Sequence, residues 1–202
     1  MKVLLLCGSP RKEGNTFLAL SEIGNELERN GVGYQIISIG TKAVQGCIAC
    51  FKCTQLGRCA FADELYEKVR QAVMECDAIV VGSPVYFAGP NGSLCSLLDR
   101  VFMTCGKYLA YKPAASVAVC RRGGASATFD RLNKYYTINN MLVVGSQYWN
   151  SVHGRTPGEA VKDEEGMQTM RTLARNITWA LNSIKDREVP EREEKIATSF
   201  IR

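Results

Sequence analysis

Short apolar runs alternate with amphipathic helical patterns along this chain, and that alternation restricts its fold more than any other feature. Strand-like runs lie at residues 2–7, 34–39, 78–81, 115–120 and 141–144. Between and after them, apolar residues recur at three- and four-residue steps, which is typical of helices with one face on a core. Five strands alternating with five helices predict an α/β fold, a doubly wound five-stranded parallel sheet with helices on both faces.

Composition sets the broad class of the protein. The chain has 202 residues, of which 46% are hydrophobic and 22% are charged, as expected for one compact domain. We place that domain at 1–184 and a charged tail at 185–202. The net charge of +5 does not call for a nucleic-acid partner. Because no apolar run approaches the ~18 residues of a membrane span and no signal peptide begins the chain, we expect no membrane partner and a cytoplasmic location.

Ligands of doubly wound sheets bind beyond the carboxyl ends of the strands, so the loops there are the first candidates for function. The first loop, residues 8–16, combines hydroxyls, an amide, cations and glycines at the start of a helix. Free backbone N–H groups at a helix N-terminus favour an anion, and a phosphate monoester fits this loop. No Walker motif and no Gly-x-Gly-x-x-Gly is present. The alternative is a polar turn in which Asn15 or Thr16 caps the helix.

Two later loops carry further candidates. Residues 82–91 contain prolines and glycines that predict a rigid turn after the third strand, with Tyr86 and Phe87 available to stack on a flat ring. The alternative is that both aromatics pack beneath the next helix. Residues 121–124 follow the fourth strand, where Gly123 and Gly124 can supply N–H groups and two arginines positive charge. The alternative there is a solvated turn. His153, placed after the fifth strand, is either a proton donor or a structural hydrogen-bond partner.

Four of the nine cysteines form a compact motif, Cys47-x2-Cys50-x2-Cys53-x5-Cys59, inside a polar loop at 44–60. Three thiolates at three-residue steps with a fourth nearby are typical of a 4Fe–4S centre. Zinc and a redox-active dithiol remain alternatives. The other five cysteines lie singly in apolar contexts, which predicts small buried side chains. An odd number of cysteines without a disulfide framework indicates a reducing compartment.

Three segments together resemble a known family: the Gly-Ser-Pro-Arg-x-x-Gly-Asn-Thr loop, Gly-Ser-Pro-Val-Tyr-Phe, and Ser-Gln-Tyr-Trp-Asn at 146–150. They are similar to the flavodoxin-like NAD(P)H-dependent FMN reductases, in particular the iron–sulfur flavoprotein branch, over about residues 1–184. The resemblance implies a flavodoxin-like fold and a homodimer or homotetramer. It also implies FMN phosphate contacts at Ser9, Arg11, Asn15 and Thr16, flavin neighbours at Pro84, Val85, Tyr86 and Phe87, and cluster ligands at Cys47, Cys50, Cys53 and Cys59.

The function this resemblance implies is an FMN-dependent oxidoreductase. Electrons would come from NAD(P)H or a low-potential carrier and leave to a small acceptor such as a flavin, a quinone or a nitro compound. The flavin performs such chemistry, so no side chain need act as a catalytic acid. One alternative is an iron–sulfur flavoprotein that transfers electrons with a ferredoxin-like partner. Another is a non-catalytic FMN-binding module.

Overall fold

The computed structural model describes residues 1–191, 193, 194 and 196–198. Its strands are β1 (Lys2–Cys7), β2 (Gly33–Ser38), β3 (Ala78–Tyr86), β4 (Gly89–Pro90), β5 (Pro113–Cys120), β6 (Leu142–Val143) and β7 (Ser151–His153). Its helices are α1 (Asn15–Arg29), α2 (Cys53–Leu56), α3 (Glu64–Glu75), α4 (Gly92–Leu109), α5 (Ala125–Thr137) and α6 (Glu164–Ile184), with one 3-10 turn at Glu159–Lys162.

The parallel sheet has the order β2-β1-β3-β5-β6, and β7 also pairs with β5. When the two-residue β4, which forms an antiparallel hairpin with β3, is left aside, this is the 2-1-3-4-5 order of flavodoxin-like sheets. The sheet reverses its winding between β1 and β3, and their carboxyl ends therefore border a crevice. The predicted doubly wound fold is confirmed.

Side chains of the central strands alternate between two apolar cores, one on each face of the sheet. Val3 and Leu5 pack against α1 and α6 on one face. Leu4 and Leu6 pack against α3, α4 and α5 on the other face. Because both faces of β1 are covered, its sequence is continuously apolar rather than alternating, as parallel sheets require.

The predicted fifth strand differs from the observed one. Only Leu142–Val143 pairs with the first half of β5, and Ser151–His153 pairs with its second half. Residues 144–150 leave the sheet between these two pieces, and Tyr148 and Trp149 are exposed there. His153, which we expected in a loop after the fifth strand, therefore lies within the sheet. The apolar pattern could not reveal a strand made of two pieces separated by a polar excursion.

The third strand is longer than predicted. The sequence predicts a strand at residues 78–81 that is broken by residues 82–84, whereas β3 continues to Tyr86. Its neighbour β1 ends at Cys7, opposite Gly82. Beyond that point β3 has a parallel neighbour only in β5, which pairs Pro84 with Val119. A strand with one free edge tolerates a proline, so the missing N–H does not end it.

The end of the chain and the cysteine loop complete the fold. After α6 the described residues of the 185–202 tail form no helix or strand, and the Tyr111 hydroxyl donates to the Pro190 carbonyl at 3.4 Å. Residues 192, 195 and 199–202 of that predicted tail lie outside the described residues. Between β2 and α3, the single turn α2 is the only regular structure of the cysteine loop that the structure describes. In the described part of the chain, no helix has both the length and the apolar character of a bilayer span.

Candidate functional site

A cleft of about 160 Å³ opens at the carboxyl ends of β1, β3 and β5. Four of its lining residues come from the first loop and the start of α1, and the rest come from three later segments. The set is Ser9, Arg11, Asn15, Thr16, Pro84, Val85, Tyr86, Val119, Cys120, Arg121, Gly154 and Arg155. The structure thus brings together all four residues predicted to contact a phosphate and three of the four predicted to border a flat ring.

The first loop leaves the N-terminus of α1 open. The N-cap residue is Gly14, and no side chain accepts a hydrogen bond from the first turn, which contains no acidic residue. The expected alternative, a cap by Asn15 or Thr16, is not what the structure has. The buried Ser9 hydroxyl instead accepts from the Arg11 backbone N–H at 3.2 Å and fixes the turn. Uncapped N–H groups and the helix dipole make this end of α1 suited to an anion.

Two asparagines connect the loops that surround the cleft. The Asn15 side chain donates to the Thr156 carbonyl at 2.9 Å and accepts from the Ala160 N–H at 3.2 Å, which fixes the 154–160 segment beside α1. The buried Asn91 side chain donates to the Gly8 carbonyl at 2.8 Å and caps α4 through Ser93. Asn91 escaped the sequence analysis, although an asparagine before an amphipathic run is a usual cap signal.

Three arginines, Arg11, Arg121 and Arg155, are among the residues that line the cleft, and all three are exposed to solvent. Among the described residues, none of the three side chains has a hydrogen-bond or ion-pair partner. Arg155 was not predicted, because it is far from the first loop in sequence. Unpaired arginines beside an open helix N-terminus are the donor set that a phosphate dianion requires.

The hairpin of β3 and β4 contains the four residues predicted to border the flavin ring, and one of them, Phe87, is not found in the cleft. Tyr86 pairs with Gly89, so Phe87 and Ala88 form a two-residue turn, and both have positive φ, at 49° and 61°. Turns of this kind usually contain glycine or asparagine. Phe87 is fully exposed and Tyr86 is 45% exposed, so neither packs beneath a helix. Phe87 is not among the described residues that line the cleft, and its contact with a flavin stays a prediction.

Gly124 joins the start of α5 to this hairpin. It is the N-cap of α5, at φ 90°, and no side chain caps that helix. A Cβ at Gly124 would lie 2.8 Å from the Ala88 Cα and from the Val85 Cγ1, whereas a Cβ at Gly123 would meet nothing within 4 Å. Close packing of α5 against the hairpin therefore requires glycine at position 124, whereas position 123 has room for a larger side chain.

His153 is held by a carboxylate outside the cleft. Its backbone N–H donates to Asp163 Oδ2 at 2.6 Å, and its Nδ1 lies 3.2 Å from the same oxygen. Burial raises the pKa of Asp163, but hydrogen bonds from Gly166 and His153 outweigh it and the net pKa is lowered. Asp163 also caps α6. These contacts favour the structural interpretation of the histidine.

The four clustered cysteines converge on one small cavity of about 20 Å³ between the cysteine loop and α4. Cys47 and Cys50 are exposed, and Cys53 and Cys59 are half-buried. In the described residues, no group of three Cys, His, Asp or Glu side chains is gathered as a single metal ion requires. The cavity has room for one water molecule, so a four-iron cluster would need this loop to move outward. The four thiols nevertheless match a 4Fe–4S cluster in ligand type and in number.

One buried cation supports the cysteine loop from α4. The Arg100 side chain is 0% exposed and lines the cysteine cavity. Its Nη1 donates to Asp63 Oδ2 at 2.7 Å and to the Gln45 carbonyl at 3.1 Å, and its Nη2 donates to the Phe61 carbonyl. Gln45 precedes the first cysteine and Phe61 follows the last, so one side chain fastens both ends of the loop.

The five remaining cysteines follow the prediction with one exception. Cys7, Cys76, Cys105 and Cys120 are buried, whereas Cys95 is half-buried. Burial raises the pKa of the Cys76 thiol to about 11. Thiols in such surroundings stay protonated and are weak nucleophiles. None of the nine cysteines is in a disulfide.

An uncapped helix N-terminus at the switch point of a sheet with the 2-1-3-4-5 order is the arrangement of a flavodoxin-like protein. Solved structures of this class share the fold. RosB, crystallised with bound 8-demethyl-8-formylriboflavin-5′-phosphate, superposes with a TM-score of 0.74 at 13% identity and covers 100% of this chain and 94% of its own. The NAD(P)H:(acceptor) oxidoreductase FerB of Paracoccus denitrificans superposes with a TM-score of 0.65 at 16% identity and covers 90% and 97%.

The chain belongs to the NADPH-dependent FMN reductase family, whose model matches residues 1–156, and within it to the iron–sulfur flavoprotein branch. An iron–sulfur flavoprotein of Methanocaldococcus jannaschii is 34% identical over 193 residues, which cover 92% of this chain and 100% of that protein. An iron–sulfur flavoprotein of Archaeoglobus fulgidus is 29% identical over 201 residues, covering 92% and 98%. The chain is therefore an FMN-binding flavin oxidoreductase.

Proposed function

We propose that this protein oxidises NAD(P)H, or a low-potential electron carrier, and passes the electrons through FMN to a small acceptor such as a flavin, a quinone or a nitro compound. The observation that carries the proposal is the cleft itself. Three unpaired arginines and an uncapped helix N-terminus lie beside a rigid turn and an open surface. Bound FMN supplies hydride and single-electron transfer on its isoalloxazine ring.

Different residues of the chain would bind the phosphate and the ring of FMN. Ser9 shapes the first loop, and the N–H groups at the start of α1, with Arg11 and Arg155, would hold the phosphate dianion. Pro84, Val85 and Tyr86 would border the ring, and the free N–H groups at the start of α5 with Arg121 would favour negative charge at its edge. The cleft contains no histidine or carboxylate among the described residues that line it, so we assign no side chain as a catalytic acid.

Anaerobic mixing of the FMN-loaded protein with NADPH or NADH tests the donor. We expect bleaching of the flavin absorption within seconds by at least one nicotinamide, followed by recovery when a quinone is added. Dithionite serves as the control that the bound flavin is reducible. A flavin that stays oxidised over many minutes with both nicotinamides, yet bleaches with dithionite, would contradict direct nicotinamide oxidation and leave a low-potential carrier as donor.

A second candidate function is favoured by the cysteine cavity. We propose that Cys47, Cys50, Cys53 and Cys59 hold a 4Fe–4S cluster and that the protein exchanges electrons with a ferredoxin-like partner. All four thiols line one cavity, and relatives that match nearly the whole chain are named iron–sulfur flavoproteins. Ile48 and Phe51 are more than half exposed in this loop, which suits a docking surface for that partner.

Iron and acid-labile sulfide analysis of anaerobically purified protein separates the two candidates. We expect about four iron and four sulfide per chain, as a cubane contains. If the protein contains FMN but no iron, even after reconstitution, the cluster proposal is wrong and the reductase proposal remains. If the protein binds FMN but accepts electrons from no donor, the remaining function is a non-catalytic FMN-binding module.

Two further proposals concern the protein's setting. We propose a homodimer or homotetramer, which analytical ultracentrifugation of the FMN-loaded protein would test. We also propose the cytoplasm as its compartment. Nine thiols with no disulfide among them suit a reducing environment.

A further inference from the structure

Arg100 is a buried cation whose surroundings are only partly explained by protein contacts. Its side chain is 0% exposed, whereas its ion-pair partner Asp63 is 47% exposed. The Tyr66 ring lies beneath the guanidinium, 4.8 Å from its carbon to the ring centroid. Water therefore screens the carboxylate better than the cation, so the ion pair leaves part of the positive charge uncompensated towards the interior.

Among the described residues, none accepts a hydrogen bond from the Nε of Arg100. A buried N–H without an acceptor costs free energy, and native proteins rarely leave one unexplained. Arg100 lines the cysteine cavity and is the only charged side chain among the described residues that do so.

We propose that Arg100 is a positioning residue for the 4Fe–4S cluster, fastening both ends of the cysteine loop and directing its Nε–H and its charge at the cluster. The proposal rests on the cluster of the second candidate function. Four thiolates around a 4Fe–4S core give an anion, and reduction by one electron from an external donor adds one negative charge without making or breaking a bond of Arg100. Attraction to a buried cation grows with that charge, so Arg100 favours the reduced form.

The test compares Arg100→Gln with Asp63→Asn, because both variants remove the same ion pair but change the local charge in opposite directions. Asparagine still caps α3, the role in which Asp63 accepts from the Tyr66 N–H at 2.9 Å. Each protein is loaded with FMN, reconstituted with iron and sulfide, and titrated with dithionite while the reduced cluster is followed by electron paramagnetic resonance. Flavin content checks that each variant is folded.

We expect Arg100→Gln to lower the ratio of reduced to oxidised cluster at the wild-type midpoint about tenfold, which is 59 mV for one electron. Asp63→Asn raises that ratio, by roughly two- to threefold because the carboxylate is half exposed. Equal potentials in all three proteins, or shifts of both variants in the same direction, would overturn the charge role of Arg100 while leaving the cluster in place.

The wild-type protein and a third variant distinguish failure of the cluster proposal from failure of the role proposed for Arg100. Wild-type protein that binds FMN but no iron overturns the cluster proposal and this inference together. Should Arg100→Gln fail to fold, Arg100→Lys and Asp63→Asn decide the matter. Lysine keeps the charge but cannot fasten both carbonyls, so we expect a wild-type potential with about half the iron content. A lowered potential in the lysine variant, or an unchanged one in Asp63→Asn, overturns the proposal.

Discussion

The cleft proposed for FMN is lined by residues at the carboxyl ends of β1, β3 and β5, whereas the cysteine cavity is enclosed by a loop that leaves the sheet after β2 and ends at α3. The cleft is polar and contains three cations without partners. The cavity is apolar, and its one cation is already engaged by Gln45, Phe61 and Asp63. The difference teaches that the sheet itself brings the residues of the cleft together, whereas the cysteine loop is held by side chains of two helices, Tyr66 of α3 and Arg100 of α4.

The largest expected effect is the loss of iron from the cysteine cavity without any change in FMN binding at the cleft. Replacing Cys53 with serine removes a soft thiolate ligand for iron, and a hydroxyl is a poor substitute. We expect the iron and sulfide content to fall to nearly zero while FMN content and affinity stay at wild-type values, as measured by chemical analysis and fluorescence titration. Cys95→Ser is the matched control, because Cys95 is also half-buried but lies outside the cavity. Full iron in the Cys53 variant would contradict its assignment as a ligand.

The next prediction tests the cations of the cleft. Arg11→Ala removes one charge-assisted contact with the phosphate dianion, and such contacts contribute about 1.5–3 kcal/mol. We expect the Kd for FMN to rise roughly 10- to 100-fold. The Kd for riboflavin, which lacks the phosphate, should change by less than about threefold.

Arg155→Ala should behave in the same way, since Arg155 lines the same cleft from the opposite loop. Lys12→Ala is the control, because Lys12 is an exposed neighbour that is not among the described lining residues. Equal losses for FMN and riboflavin in either arginine variant would refute the phosphate role. A loss of FMN affinity in the lysine variant as large as that in Arg11→Ala would show a diffuse charge effect instead.

The third prediction concerns the close packing of the start of α5 against the β3–β4 hairpin at Gly124. Gly124→Ala places a Cβ 2.8 Å from Ala88 and Val85 at a φ of 90°, so the start of α5 must move away from the hairpin. We expect the apoprotein to lose about 1–3 kcal/mol of unfolding free energy in urea. FMN affinity should fall with it. Gly123→Ala meets nothing within 4 Å and should leave both values unchanged. Equal effects at the two glycines would show that close packing is not the cause.

Much of the cleft could be predicted from the sequence because strand ends are marked by local patterns. The Gly-Ser-Pro segments follow apolar runs, and parallel strands bring their carboxyl ends to one edge, so the sequence predicts that the loops containing Ser9 and Pro84 lie together. Arg155 could not be predicted, since β7 was hidden in a strand of two pieces. Arg100 could not be predicted either, because a charged residue in a helical pattern normally faces solvent. Its burial follows from tertiary contacts with residues 45, 61 and 63.

The smallest expected effect concerns Glu159, whose ionisation makes the stability of the protein depend on pH. Glu159 Oε2 accepts from the Arg155 N–H at 2.7 Å and from the Thr156 N–H at 2.9 Å. These hydrogen bonds lower the pKa of Glu159 from 4.5 to about 2. A carboxylate with a lowered pKa in the folded state stabilises the protein above its unfolded pKa, and this contribution is lost as the pH falls from about 4.5 to about 2.

Glu159→Gln keeps an acceptor but removes the charge, so we expect a slightly less stable protein at pH 7. The difference from wild type should shrink as the pH is lowered from 4.5, as measured by urea unfolding at each pH. FMN affinity at pH 7 should fall by less than about threefold, because the carboxylate is exposed and only orients the segment that contains Arg155. Lys162→Ala, three residues after Glu159, is the control that alters nearby charge without removing either hydrogen bond. A difference that stays constant down to pH 3 would mean that the Glu159 charge does not order residues 154–160.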